Sequence, residues 1–111
     1  MLRLTSSKDY TRLRQSTTKV IGKYFIIVYL LDNDIKENQA GITVSRKIGN
    51  AVVRNKIKRR VKAFLHHFNL AVNNRPFISN IVALPSVVEA SMLLLSSDLE
   101  RAFHKVQKSI L

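Results

Sequence analysis

The chain has 111 residues, 46% of them hydrophobic, with 19 lysines and arginines against 7 acidic residues, a formal charge of +12. This length suits one domain, 1–111, with one modest core, and the apolar content excludes a disordered basic tail. The absence of cysteine excludes disulfides and thiolate zinc sites. No apolar run nears the ~20 residues that span a bilayer and no signal-peptide core opens the chain, so a cytoplasmic protein without membrane contact is expected.

Ser6-Ser7-Lys8-Asp9 has the form of a capping box and predicts a short helix from about Ser7 to Gln15. Tyr10 and Leu13 share one side of it and Arg12 takes another, before Ser16-Thr17-Thr18 ends it. Val20 to Leu31 is rich in β-branched and aromatic residues and apolar on both faces, which predicts one central strand covered on both sides. Asp32-Asn33-Asp34 is a turn, followed by a polar loop to Gln39. Ala40 to Ser45 alternates and is expected to pair antiparallel with the first strand.

Between Gly41 and Arg75 there is no Asp or Glu. Lys47-Ile48-Gly49-Asn50 is a break, and Asn50 a good N-cap for a helix of about Ala51 to Leu70. Val53, Ile57, Val61, Phe64, Leu65 and Phe68 recur at steps of three and four and make its buried stripe. At ~100° per residue Asn55, Lys58, Arg59 and Lys62 point the opposite way, with Arg54, Lys56 and Arg60 flanking the stripe. A folded surface with this much uncompensated charge selects a polyanion, and a bound anion should stabilise the fold by relieving self-repulsion.

Asn73-Asn74-Arg75-Pro76 reads as a turn and Phe77 to Leu84 as a strand ended by Pro85. The last helix starts after Ser86 or after Ser91 and runs through Leu95, Leu99, Phe103 and Val106 to about Lys108. The order α-β-β-α-β-α predicts an α+β sandwich, a single-domain sheet with helices packed on one face. Phe64, Phe68, Phe77 and Phe103 are assigned to its core. His66-His67 and His104 lack ligand spacing, and Asp32-x-Asp34-x-x-Glu37 is read as turn chemistry, so no metal site and no catalytic side chain is assigned.

Ser45-Arg46-Lys47-Ile48-Gly49-Asn50-Ala51-Val52-Val53-Arg54-Asn55-Lys56-Ile57-Lys58-Arg59-Arg60 combines a strand ending in Ser-basic-basic, a Gly-Asn-Ala-Val turn and an Arg-Asn-x-x-Lys-Arg helix. With that set it resembles the protein subunit of bacterial ribonuclease P. Asp9-Tyr10 and Lys23-Tyr24-Phe25 extend the resemblance more weakly towards the N-terminus. It implies an α-β sandwich in which the basic helix joins two parallel neighbouring strands by a left-handed crossover, against the usual hand. It also implies a large catalytic RNA with bound Mg2+ as partner, in a 1:1 complex. The reaction implied is endonucleolytic removal of the 5′ leader of precursor tRNA, with the protein contributing no catalytic residue and binding no cofactor alone.

On that resemblance Arg46, Lys47, Asn50, Arg54, Asn55, Lys56, Lys58, Arg59, Arg60 and Lys62 are the candidate contacts to the catalytic RNA. Tyr10, Arg14 and Tyr24 are the candidates for a cleft between the first helix and the sheet that holds the leader. Aromatic stacking tolerates any base, which suits a site that serves many leaders. Tyr10 and one of Tyr24 or Phe25 are the stacking candidates. Arg14 stands where many members have an aromatic residue and adds a phosphate contact instead. Phe77 and Leu84 depart from an Asp and a basic residue common in the last strand, so that strand is assigned no function. The alternatives are a ribosomal protein or RNA chaperone, which would share the charge, and a helix-turn-helix DNA regulator, which the preceding strand disfavours.

Overall fold

The computed structural model describes residues 1–68 and 75–110. Its elements are β1 (Leu2–Arg3), α1 (Ser7–Arg14), β2 (Lys19–Ile21), β3 (Phe25–Leu31), β4 (Gln39–Thr43), α2 (Ala51–His67), β5 (Phe77–Ala83), a 3-10 turn at Pro85–Glu89, and α3 (Met92–Ile110). The strands form one mixed sheet in the order β1-β4-β5-β3-β2. The architecture is α+β, as the sequence predicts.

Helix starts follow the capping chemistry. The Ser6 hydroxyl accepts the Asp9 N–H at 3.4 Å, and Asn50 Oδ1 accepts the Val53 N–H at 3.0 Å. Of the two starts open for the last helix, the chain uses Ser91, whose hydroxyl accepts the Leu94 N–H at 3.2 Å. The alternative at Ser86 falls inside the 3-10 turn. α2 ends at His67, earlier than expected. Phe68 is extended, and its ring stacks back on Phe64 at 4.7 Å. Residues 69 and 70, and the first half of the expected turn at 73–76, lie outside the described residues.

Three expectations are corrected. The segment from Val20 to Leu31 is a hairpin, with β2 folding back antiparallel on β3 so that Val20 faces Ile27. β4 does not pair with that segment. It lies parallel between β1 and β5, while β3 takes the other side of β5 antiparallel. The helices also cover both faces of the sheet. α2 and α3 pack on the face carrying Phe25, Ile27, Tyr29, Phe77 and Ile81, with the Phe103 ring stacked against both Phe64 and Phe77. α1 packs on the other face, where Leu4, Leu13 and Ile78 form a smaller core with Tyr10, Val28 and Leu30 against it. Alternation along the strands separates these sets. α2 therefore connects two parallel neighbours, β4 and β5, and sits on the opposite side of the sheet from α1.

Candidate nucleic-acid interface

Ile57, Val61, Phe64 and Leu65 are buried along α2 and fix which way the helix faces. The opposite side carries Val52, Asn55, Arg59 and Lys62 at steps of three and four, with Lys58 beside them, and these five line a shallow hollow. Val52 is 76% exposed, an apolar floor among cations. Lys56 is also exposed. Among the described residues no carboxylate pairs with any of these cations. Such a face suits a phosphate backbone, with lysines as mobile point charges and arginines as planar forks.

The flanking residues are not equally available to a partner. Arg60 is half-buried and donates to the Ala90 carbonyl at 3.1 Å. It ties α2 to the 3-10 turn and is only partly available to a partner. Arg54 is half-buried on the other flank, and its Nε is enclosed without a hydrogen-bond partner among the described residues. An incoming phosphate oxygen would satisfy that donor. Asn50 spends its side-chain oxygen on the α2 cap. Arg46 and Lys47 are exposed on the turn between β4 and α2, where Ile48 N–H bonds the Ser45 carbonyl at 3.1 Å.

The sheet face under α1 is a second surface. Tyr10 is half-buried, and its hydroxyl donates to the Leu4 carbonyl at 3.3 Å. The ring lies directly over Gly41, where a Cβ would come within 2.6 Å of Tyr10 Cζ. Gly41 is therefore the space that seats Tyr10. Arg14, one turn on, is exposed and donates to the Thr11 hydroxyl at 3.1 Å. Tyr24 does not belong to this surface. It is 7% exposed and packs in the larger core on the far side of the sheet, because the hairpin turn directs it there. Phe25, the other stacking candidate, is fully buried in the same core.

Sequence reasoning missed a polar pair on this face of the sheet. Asn80 lies opposite Gly41 in the β4–β5 register, and its side-chain oxygen accepts the Thr43 hydroxyl at 3.1 Å. That bond turns the Asn80 amide donors away from Thr43. The available signal was an asparagine inside a mostly apolar strand. The Asp32 loop also has a defined role. Asp32 Oδ1 accepts the Asp34 N–H at 3.0 Å, and Oδ2 meets Arg12 Nη1 at 3.2 Å. Arg12, bonded to Asp32 and Asp9, is held above its ordinary pKa and pins α1 to this loop.

Gly41→Ala tests the seat of Tyr10. The added methyl should push the ring off the sheet and break its bond to Leu4, lowering stability by about 1 kcal/mol. A thermal melt and the Tyr10 ring resonances report this. An unchanged melting temperature with an unmoved ring would refute the close packing.

A family model described as Ribonuclease P matches residues 1–107. The chain is 34% identical over 109 residues to the ribonuclease P protein component of Citrifermentans bemidjiense, covering 96% of this chain and 89% of that one. It is 34% identical over 97 residues to the component of Streptococcus agalactiae, covering 87% and 86%. Among solved structures, the Staphylococcus aureus RNase P protein superposes with a TM-score of 0.80 at 25% identity, covering 100% of this chain and 99% of that one. The Thermotoga maritima RNase P protein has the same fold, with a TM-score of 0.76 at 23% identity over 91% and 94% of the two chains. No helix among the described residues is long and apolar enough to cross a membrane. With its fold, its basic helix and these relatives in agreement, the chain belongs to the ribonuclease P protein family, whose role is maturation of tRNA 5′ ends.

Proposed function

We propose that the whole chain acts in the cytoplasm as one RNA-binding unit, in a 1:1 complex with the ribonuclease P RNA. The outward face of α2, with Arg46 and Lys47, grips phosphates of that RNA. The α1 cleft holds the single-stranded leader of precursor tRNA, with Tyr10 stacking a base, Arg14 on a phosphate and the Asn80 amide free to donate. The observation that carries this reading is the acid-free cationic stripe on the far side of the buried stripe of α2. The position of Tyr10 on the other sheet face supports it, since one protein then presents separate surfaces to two RNAs.

Hydrolysis belongs to the RNA on this reading. Divalent magnesium needs several oxygen donors brought together, and among the described residues no three acidic or histidine side chains are grouped to hold one. Asp9 and Asp32 are committed to Arg12, and both oxygens of Asp98 accept backbone N–H groups. The protein's contribution is to bind, orient and screen charge between two polyanions, lowering the magnesium the complex needs. Adding the protein to the cognate catalytic RNA at low magnesium should therefore restore precursor-tRNA cleavage. Unchanged cleavage would defeat the proposal. Equal affinity for ribosomal RNA would favour a general RNA-binding role instead. Five to eight phosphate contacts predict a log–log salt slope of about −4 to −7 for assembly.

A further inference from the structure

Asp98 on α3 is 5% exposed, and its two oxygens accept the backbone N–H groups of Lys23 at 2.8 Å and Tyr24 at 2.9 Å. This clamp holds the β2–β3 turn against α3. It needs Gly22, because a Cβ there would lie 2.7 Å from Asp98 Oδ2. The clamp also gathers charge. Lys23, Arg101 and Lys105 line one open hollow together with Asp98, Ala102 and the β2–β3 turn residues Val20, Ile21 and Gly22. Arg101 and Lys105 are one helical turn apart, a like-charge pair that disfavours the free helix.

Asp98 is the one carboxylate lining this hollow, so three cations face a single acid. Asp98 is spent on backbone donors, and Glu100 lies 3.8 Å from His104 on another side of α3. Lys23 Nζ lies 5.4 Å from the Tyr24 ring centroid, and among the described residues none of the three cations forms an ion pair. The hollow is distinct from the α2 face, because α3 lies over β2 and β3 at the other edge of the sheet.

Its position relates it to the cleft. Lys19 and Ile21 pair with Val28 and Ile26, so their side chains lie on the α1 face of the sheet. Ile21 is 63% exposed and also lines the hollow. A strand crossing the cleft floor away from Tyr10 thus reaches the β2 edge at Lys19 and Ile21 and meets the hollow next. We infer that the hollow between the β2–β3 turn and α3 is a second phosphate site, which takes the backbone of the leader after it leaves the Tyr10 cleft over the β2 edge. Lys23, Arg101 and Lys105 supply its donors. The inference rests on the proposed leader cleft and extends it.

The test uses the reconstituted holoenzyme with three RNAs: precursor tRNA with a long leader, precursor tRNA with a leader that ends within the cleft, and mature tRNA. Arg101→Gln with Lys105→Gln should weaken long-leader binding about fivefold to twentyfold and flatten its salt slope by about 1.4, two single-strand contacts. Affinity for the other two RNAs should not change. Both side chains are exposed, so a thermal melt should match the unsubstituted protein. Unchanged long-leader affinity overturns the site. So does an equal loss for all three RNAs, or weaker assembly with the catalytic RNA, either of which assigns the hollow to that RNA. Tyr10→Ala, run in parallel, reads the cleft separately. If Tyr10→Ala has no effect while the double variant loses its length-dependent affinity, the cleft fails and the hollow stands.

Discussion

Replacing Lys58, Arg59 and Lys62 together with alanine will weaken assembly with the catalytic RNA about a hundredfold at physiological salt. The three side chains sit on the outward side of α2 and line one hollow. Each phosphate contact releases about 0.7–0.9 of a counterion, so each is worth roughly four- to fivefold near 0.15 M salt, and three compound to about a hundredfold. The log–log salt slope should fall in magnitude by about 2 to 2.7. Alanine is a better helix former than lysine or arginine, and three fewer like charges lower self-repulsion, so the fold should be kept or slightly stabilised. Arg60→Ala is the informative contrast. It removes the bond to the Ala90 carbonyl and should lower the melting temperature while moving the salt slope little. If the triple variant assembles with an unchanged slope, the outward face of α2 does not touch phosphate.

How far the sequence reveals this molecule depends on where the determining contacts lie. α2 was legible because its period, its Asn50 cap and its acid-free outer face are all local. The capping box likewise placed α1. Strand pairing was not legible, because β5 inserts between β3 and β4 from far along the chain and displaces the expected neighbour contact. β1 has only two residues and leaves no pattern to read. The β2–β3 hairpin was missed for a specific reason. Tight two-residue turns usually announce themselves through Asn-Gly or a similar pair with positive φ. Here Gly22 N–H bonds the Phe25 carbonyl at 2.8 Å, yet no residue in the turn has positive φ. The turn is held by Asp98, 75 residues from Lys23, so nothing local marks it. Tyr24 was misplaced by the same ignorance of the turn. In the site, the cationic face of α2 was readable from composition and spacing, whereas Tyr10 was placed by the family resemblance. The capture of Arg60 by Ala90 and the Thr43–Asn80 pair depend on tertiary neighbours and were not.

Asp98→Ala will have the largest effect on stability, about 3 kcal/mol, which for a chain of this size lowers the melting temperature by roughly 10–20 °C. The substitution leaves the Lys23 and Tyr24 N–H groups without their acceptor, and a stranded buried donor costs about 1–3 kcal/mol. Asp98→Asn should recover little. Its amide supplies one acceptor, but its NH2 then faces the other N–H, donor against donor. Gly22 provides the control that separates this clamp from generic damage to α3. In the native chain Gly22→Ala forces its methyl to within 2.7 Å and 2.9 Å of the two Asp98 oxygens. Once Asp98 is alanine that conflict is gone, and only the 3.0 Å approach to the Phe25 carbonyl oxygen remains. The two substitutions in one chain should therefore cost less than their separate costs combined, by about 1 kcal/mol or more, as expected for residues in direct contact. Denaturant melts of the four proteins measure this coupling. Strict additivity would mean that Asp98 does not clamp the turn as described, and the placement of Lys23 beside Arg101 and Lys105 would lose its structural basis.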